Sequence, residues 1–461
     1  MGSRGMRRRV GAVVTSGLLG VGAAAVPITT AVGSVRPIPF STGHINAEEL
    51  TFPPTTADCQ KLFGISCYRP IQIRAAYNLN GLYAHGLDGS GRTIVIVDSF
   101  GSPTINHDLH VFDMTFGLPD PPSLQTIAPA GAIPPFDATN PDMVGWAKET
   151  TLDVEWAHAI APGARILVVA TPVAETEGVT GFPEIVKAEN YVIDHKMGDV
   201  ISQSFGATEN TFTHPKSDIA KLRSAFKNAF RHNVTVLASS GDFGSTDALL
   251  DGSCCYPTPV NSWPSSDPLV TSVGGTQLHL DAVGTRLSPD QVWNDGFGAG
   301  GGGLSQVFHR PEFQDGVERV VGDARGTPDI SLSAAVDGGV IVYYSFIRPT
   351  SPWHIFGGTS ESSPLLSGIV AIADQAAGHK LGNLNEALYG IAGHHHSGII
   401  DVTIGDNGFT YCASACGTAQ EVDVTVPGYP ATAGYDLSSG LGTIDAQALV
   451  RALAGDEGRD N

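Results

Sequence analysis

Short apolar runs alternate with longer stretches of helical spacing from residue 93 onwards, and this alternation limits the fold more than any other feature. The strand-like runs are Thr93–Val97, Arg165–Ala170, Asp199–Ser204 and Val234–Ser239. The helix-like stretches are Thr104–Phe116, Asp142–Ala161, Pro183–His195 and Ser217–Arg231. Strands that alternate with helices predict an α/β fold, with a central, mostly parallel sheet and helices on both faces.

Polar residues stand where several of these strands end. Asp98 and Ser204 close two of the runs, and Asp242 follows a third. Binding and catalytic sites of open parallel sheets lie beyond the carboxyl ends of the strands. The segment Pro119–Pro141 has no periodic pattern and is predicted to be a loop.

The N-terminus predicts export. Arginines at positions 4 and 7–9 precede the apolar stretch Val10–Val26, which has the pattern of a secretory signal peptide within residues 1–31. An uncleaved anchor is the alternative. We expect a secreted, extracellular protein that leaves the membrane once the signal is cleaved. Residues 32–70 are then an extended, Pro-rich lead-in, residues 71–455 the main domain and residues 456–461 a polar tail.

Charge and cysteine content limit the partners. The formal net charge is −20, which argues against nucleic acid as a partner because phosphates require a basic surface. The six cysteines suit an exported protein. They fall into three local couples, Cys59 with Cys67, Cys254 with Cys255, and Cys412 with Cys416. Free thiols at positions 254 and 255 remain an alternative. We expect a monomer.

The segment Gly357–Pro364 (Gly-Gly-Thr-Ser-Glu-Ser-Ser-Pro) has the pattern of a serine nucleophile at the start of a buried helix. Small residues permit a sharp turn before Ser360, and Pro364 is expected in the first helical turn. A serine hydroxyl needs an adjacent base. No His-Gly-Thr-His occurs upstream of it.

The segment Lys148–Trp156 offers carboxylates where a histidine base would be expected. Glu149 and Asp153 are four residues apart, so a helix places both on one face. Neighbouring carboxylates share protons, and their titration belongs to the pair. An ordinary amphipathic helix with exposed acids is the alternative. Glu155 lies off that face and is predicted to be structural.

Several further motifs follow one another in a fixed order. They are Ala161–Ala164, Ser240–Asp247, Val273–Gln277, Trp293 with Gly300–Gly303, Thr327–Ser331, and the C-terminal segments Asp401–Thr403, Ala433–Asp436 and Gly440–Gly442. Together with Glu149, Asp153 and Ser360, this order resembles the sedolisin family of serine-carboxyl peptidases over roughly residues 70–455. The resemblance implies a subtilisin-like three-layer fold.

The resemblance also implies a chemistry. Ser360 forms an acyl-enzyme with a peptide or unfolded protein, Glu149 is the general base, and Asp153 orients Glu149. A protonated Asp242 donates a hydrogen bond in the oxyanion hole, where an ionised carboxylate would repel the developing charge. Such an enzyme works at acid pH, as an endopeptidase or a tripeptidyl-peptidase. Asp98 is expected to extend the carboxylate network.

The resemblance further implies one structural Ca²⁺. Its ligands would be the side chains of Asp401 and Asp436 and the carbonyls of Val402, Thr432 and Gly434, all hard oxygen donors. Thr432 stands where the family usually has glycine. The insertion Gly405–Thr425 lengthens the loop between the two acids.

Two other functions remain open. A subtilisin-type hydrolase would use Asp98, a histidine and Ser360, and His158 is the leading histidine. A non-catalytic secreted binding protein on the same scaffold is the second alternative. All four proposed catalytic positions carry competent residues, which argues against the binding protein.

Overall fold

The computed structural model describes residues 50–392, 394, 397–418 and 420–455, together with the backbone of residues 43–45. The predicted signal peptide and the polar tail lie outside these residues. The proposed division of the chain into segments therefore stays a prediction.

Helices and short strands alternate along the described chain. The helices are α1 (Thr56–Phe63), α2 (Pro70–Ala76), α3 (Asn80–Ala84), α4 (Ile105–Phe116), α5 (Pro141–Ile160), α6 (Phe182–Asp194), α7 (Pro215–Leu222), α8 (Ser224–Arg231), α9 (Glu318–Val321), α10 (Thr359–Ala377), α11 (Asn385–Ile391) and α12 (Ala446–Leu453). The strands are β1 (Gly43–Ile45), β2 (Cys67–Tyr68), β3 (Thr93–Ser99), β4 (Leu124–Ile127), β5 (Arg165–Thr171), β6 (Val200–Gln203), β7 (Ala207–Thr208), β8 (Thr235–Ser239), β9 (Ser262–Trp263), β10 (Thr271–Gln277), β11 (Gln291–Val292), β12 (Gly303–His309), β13 (Ala324–Thr327), β14 (Ile330–Ser333), β15 (Gly339–Tyr343), β16 (Trp353–Gly357), β17 (Ile399–Ile400), β18 (Phe409–Ser414), β19 (Val422–Val426) and β20 (Thr443–Ile444).

An eight-stranded sheet forms the centre of the fold. Its strands follow the order β4, β5, β3, β6, β8, β10, and then β14 and β11, both of which pair with β10. All of these pairings are parallel except the one between β10 and β11. This confirms the predicted α/β class with a mostly parallel central sheet.

The two faces of the sheet carry separate apolar cores. Along β3, Ile94 and Ile96 belong to one core, and Val95 and Val97 belong to the other. Helices α5 and α10 contact the first face, whereas α6 and α8 contact the second. The sequence therefore folds into three layers, because each buried strand presents apolar side chains in both directions.

Three predicted segments differ from the structure. The predicted loop Pro119–Pro141 contains the edge strand β4, whose side chains are only partly buried. The helix predicted over Ser217–Arg231 is two helices, which meet at Arg223. The predicted extended lead-in contains helix α1, which begins with a capping box at Thr55.

The lead-in also pairs with the rest of the chain. Strand β1 pairs with β16 and β2 pairs with β15, which gives a second, four-stranded sheet. Disulfides join Cys59 to Cys67, Cys254 to Cys255, and Cys412 to Cys416, as the local pairing predicted. Among the described residues, none of the helices combines the length and apolar character that a bilayer crossing requires.

Candidate active site

Ser360 stands at the start of helix α10, directly after β16. Gly358 has φ 124°, which favours glycine and lets the chain turn from strand to helix. Ser360 is the second residue of the helix and is fully buried. Its hydroxyl therefore lies near the positive end of the helix dipole, where developing negative charge is stabilised.

Pro364 is the sixth residue of α10, not a residue of its first turn as predicted. A proline has no backbone N–H, so the carbonyl of Ser360 has no helical donor four residues ahead. The Ser204 Oγ lies 3.4 Å from that carbonyl oxygen, in hydrogen-bonding geometry. Because of Pro364, the Ser360 carbonyl is thus left available to the side chain of Ser204.

Glu149 and Asp153 lie on α5, one turn apart and fully buried. Asn140 caps this helix, because its side chain accepts from the backbone N–H groups of Asp142 and Met143. Helix α10 packs closely against α5 at Gly368, where a Cβ atom would overlap Ile160. The alternative of exposed acids on an amphipathic helix is therefore wrong.

Ser204 connects the carboxylates on α5 to the nucleophile. It follows β6, and its Oγ donates to Asp153 Oδ1 at 2.9 Å. The Ser360 Oγ lies 3.5 Å from the carbonyl oxygen of Ser204. One residue thus contacts both an acid of the predicted triad and the predicted nucleophile.

Asp98 contributes a further buried carboxyl group beside Asp153. It is buried within β3, and burial raises its pKa to about 7, which a hydrogen bond with Thr150 only partly offsets. Burial also raises the pKa of Asp153 well above its usual value. The negative charges of Asp98 and Glu149 add to this effect, and the hydrogen bond from Ser204 opposes it. These carboxyl groups therefore hold protons at mildly acid pH.

Asp242 follows β8 and contacts the start of helix α10. Its Oδ1 accepts hydrogen bonds from the Thr359 N–H at 2.8 Å and from the Thr359 Oγ at 2.9 Å. Thr359 directly precedes Ser360. Because Oδ1 accepts both bonds, Oδ2 is the atom on which a proton could be carried and donated.

The glycine-rich stretch around Gly300–Gly303 forms backbone hydrogen bonds with the loop that contains Asp242. The Ala299 N–H donates to the Asp242 carbonyl at 3.0 Å, and the Gly301 N–H donates to the Gly241 carbonyl at 2.7 Å. A Cβ atom at Gly301 would overlap the carbonyl of Ser240. Glycine is therefore required for this close backbone approach.

Two further titratable side chains of α5, His158 and Glu155, have separate contacts. His158 is buried, with Nε2 2.8 Å from the Pro119 carbonyl oxygen and 3.3 Å from an oxygen of Asp113. These contacts tie the imidazole to the α4 side of the helix. Glu155 accepts from the Tyr343 N–H at 3.0 Å, in keeping with the predicted structural role.

The residues predicted to bind Ca²⁺ meet at one turn. Asp401 Oδ2 accepts from the Gly434 N–H at 2.9 Å, and Asp436 Oδ2 accepts from the Thr432 N–H at 2.8 Å. Val402 directly follows Asp401. Carboxylate oxygens suit a hard cation, and Asp436 Oδ1 also accepts from the N–H and hydroxyl groups of Ser438 and Ser439.

Sequence reasoning missed the supporting residues of the site. Ser204 was noted only for its position at a strand end, and Thr150 and Thr359 were given no role. Thr150 is adjacent to Glu149, and Thr359 is adjacent to Ser360. Proximity to predicted catalytic residues was the one signal that could have indicated them.

Comparisons with known proteins identify the family. The profile of the Subtilase family matches residues 142–387, which is more than half of the chain. Kumamolisin from Bacillus sp. (strain MN-32) is 30% identical over 398 residues, covering 84% of this chain and 64% of kumamolisin. Tripeptidyl-peptidase 1 from Dictyostelium discoideum is 27% identical over 367 residues, covering 75% of this chain and 52% of that protein.

A solved structure of Pseudomonas sedolisin, described as a serine-carboxyl proteinase complexed with two molecules of pseudo-iodotyrostatin, has the same fold. It superposes with a TM-score of 0.67 at 24% identity, covering 85% of this chain and 99% of that chain. The chain spans about half to two thirds of the length of the two relatives described above.

Proposed function

Because the chain belongs to the subtilase family and, within it, to the sedolisins, we propose that it is an acid-acting serine-carboxyl peptidase. One observation carries this proposal. Two buried acidic side chains are connected to the nucleophile, Asp153 through Ser204 and Asp242 through Thr359. The histidine of α5 is bound elsewhere.

In the proposed reaction, the Ser360 Oγ attacks the carbonyl carbon of the scissile peptide bond while its proton passes to the ionised Glu149. Asp153, held by Ser204, orients Glu149 and shares its protons. Glu149 then gives the proton to the departing amine, and the acyl group remains on Ser360. Water hydrolyses this ester with the same carboxylate as base.

Asp242 supplies the second acidic function. Its Oδ1 accepts from Thr359, so a proton on Oδ2 would point a donor toward the oxyanion. Glu149 must be ionised while Asp242 is protonated. The rate should therefore peak at acid pH and fall towards neutrality.

We further propose that one structural Ca²⁺ binds Asp401 and Asp436 with the carbonyls of Val402, Thr432 and Gly434. The ion would neutralise two carboxylates at one turn and fix the loop between them. Secretion, the monomeric state, the endopeptidase or tripeptidyl mode and a peptide or unfolded protein substrate belong to the same proposal.

Hydrolysis of an unfolded protein, measured from acid to neutral pH, tests the proposed activity. Ser360→Ala should lower the rate by about 10⁶-fold, since removal of a serine nucleophile on this fold has an effect of that size. Ser367→Ala is the matched control, because Ser367 is a buried serine of the same helix whose Oγ donates to the Pro364 carbonyl. The control should remain active.

Equal activity of wild-type protein and Ser360→Ala would show that the proposed activity is wrong. His158→Ala addresses the subtilisin-type alternative and should keep the catalytic rate of the folded protein. Loss of that rate, with the fold intact, would favour a histidine base.

A further inference from the structure

A hairpin near the C-terminus contacts the loop that contains Asp242. We call residues 404–430 the C-terminal hairpin; its paired strands are β18 and β19. Side chains near the tip of the hairpin are exposed, whereas Asn407 at its base is fully buried. A buried asparagine needs partners for its carbonyl oxygen and its two N–H donors, so the contacts of Asn407 show what the base of the hairpin is held against.

Asn407 first closes the base of the C-terminal hairpin. Its backbone N–H donates to the Tyr429 carbonyl at 3.3 Å, and its Oδ1 accepts from the Tyr429 N–H at 2.8 Å. These two hydrogen bonds fix the orientation of the side-chain amide. The amide nitrogen Nδ2 remains for partners outside the hairpin.

The amide nitrogen of Asn407 binds the glycine-rich stretch. Its Nδ2 donates to the Gly300 carbonyl at 3.1 Å and lies 3.5 Å from the Gly302 carbonyl oxygen, in hydrogen-bonding geometry. In the same stretch, the Ala299 N–H donates to the Asp242 carbonyl at 3.0 Å. Asn407 therefore holds the chain segment that holds the Asp242 loop.

The backbone of Asn407 also contacts the Asp242 loop directly. Its carbonyl oxygen accepts from the Ser245 N–H at 2.9 Å. A Cβ atom at Gly244 would overlap the same oxygen, so the close approach of the two chains requires glycine there. The loop is thus bound on one side by the glycine-rich stretch and on another by the hairpin.

An aromatic contact lies beside these hydrogen bonds. Phe409, the first residue of β18, packs against Phe243 in an edge-to-face arrangement, with ring centroids 5.5 Å apart. Phe243 directly follows Asp242. The hairpin therefore contacts the three residues after Asp242, while Thr359 binds the carboxyl group of Asp242 itself.

We propose that Asn407 is a positioning residue of the oxyanion site, because it joins the C-terminal hairpin, the glycine-rich stretch and the Asp242 loop. The inference rests on the proposed peptidase function. In that reaction, the Asp242 donor must lie within hydrogen-bond reach of the oxyanion that forms when Ser360 attacks. Because this hydrogen bond strengthens in the transition state, a displaced loop should lower kcat and leave KM nearly unchanged.

Asn407→Leu tests the inference, because leucine has a similar shape and no polar group in its side chain. The kcat should fall about 10- to 100-fold, the size expected for a displacement of up to about 1 Å at the reacting groups. Activity is measured under conditions in which urea unfolding shows the variant to be folded. The KM should stay close to the wild-type value.

Asn385→Leu is the matched control. Asn385 is also a fully buried asparagine, and its Nδ2 donates to the Val270 carbonyl at 3.0 Å. Val270 precedes β10, at the amino end of that strand, whereas the proposed catalytic residues lie beyond the carboxyl ends. Both variants should lose stability, but only Asn407→Leu should lose kcat.

A double-mutant cycle with Asp242→Ala separates positioning from a general loss of stability. Asp242→Ala removes the oxyanion donor and should lower kcat by about 10²- to 10³-fold, which leaves a rate above that of Ser360→Ala. Adding Asn407→Leu should then lower the rate by less than about 3-fold, since no donor is left to position. Equal factors in the two backgrounds would overturn the inference.

Phe409→Leu keeps the inference testable if Asn407→Leu does not fold. It removes the ring contact with Phe243 from a partly exposed position, and kcat should fall by about 2- to 10-fold, as the energy of one aromatic pair allows. A wild-type kcat in the folded Asn407→Leu, or in Phe409→Leu where the first variant does not fold, would overturn the inference and leave the proposed function intact. Wild-type protein no more active than Ser360→Ala would overturn both.

Discussion

Asp329 and Asp153 are both fully buried, yet their surroundings differ in the source of hydrogen-bond donors. Asp329 receives two hydrogen bonds from the Arg325 guanidinium, at 2.7 and 2.5 Å. The Ser272 N–H and the Tyr389 hydroxyl add two more, at 2.8 and 2.9 Å. Asp153 accepts one hydrogen bond, from the Ser204 hydroxyl, and lies near the negative charges of Asp98 and Glu149.

This difference distinguishes Asp329, which has a structural role, from Asp153, which is proposed to take part in the reaction. The Arg325 guanidinium forms a buried ion pair with Asp329 and contacts both of its carboxylate oxygens. Around Asp153, neighbouring negative charges disfavour ionisation, so protons are shared among the carboxyl groups. In the proposed reaction, burial without a cation is the feature that would let these acids exchange protons with a substrate.

Removal of the guanidinium should have the largest effect on stability. Arg325→Met leaves a buried, uncompensated carboxylate and should lower the free energy of unfolding by about 3–5 kcal/mol. Urea unfolding near pH 5 measures this change. The folded fraction of Arg325→Met should keep the wild-type kcat, because Arg325 contacts neither Ser360 nor the carboxyl groups proposed to act on it.

Arg310→Met is the control for that experiment. Arg310 pairs with Asp315 on the surface, where Asp315 is 63% exposed, and such pairs contribute less than about 1 kcal/mol. Equal losses in the two variants would show that the buried arginine pair does not stabilise the fold in the way described.

A smaller effect should follow from removing one of the unpaired acids. The pKa of Asp98 is raised to about 7, so the folded state favours its protonated form. Its contribution to stability is complete below pH 4 and is lost as the pH rises towards 7. At pH 5 the free energy of unfolding of the wild-type protein should therefore be about 1.5 kcal/mol lower than below pH 4, through Asp98 alone.

Asp98→Asn carries no charge at either pH, so its unfolding free energy should fall less than that of wild-type protein between pH 4 and pH 7. Asp137→Asn, at an exposed loop position, serves as the control and should follow the wild-type curve. An unchanged slope in Asp98→Asn would mean that Asp98 is not a titrating group of this network.

The sequence predicted the main sheet well because its strands are continuous apolar runs. It missed β4, a polar edge strand, and α1, which lies in a Pro-rich stretch with little apolar periodicity. The ordered motifs indicated that Asp153 and Asp242 belong with Ser360, and hydrogen bonds through Ser204 and Thr359 link these segments.

The burial of Glu175, Glu177 and Asp247 could not be inferred in the same way. Glu175 and Glu177 lie in the loop between β5 and α6, and Asp247 lies in the loop after β8. Polar residues in loops are usually exposed, so nothing in the pattern indicated burial. The β7–β9 pair brings together Thr208, which binds Glu177, and Ser262, which binds Asp247, and this pair joins distant parts of the chain without a local signal.

The pH dependence of kcat/KM in wild-type protein and in Asp242→Asn tests the central claim most directly. An asparagine amide can donate to the oxyanion without a proton that titrates, while its oxygen still accepts from Thr359. Wild-type activity should decline towards neutral pH, whereas the activity of Asp242→Asn should persist to higher pH. Superimposable profiles, or a wild-type rate that increases into alkaline buffer, would contradict the account.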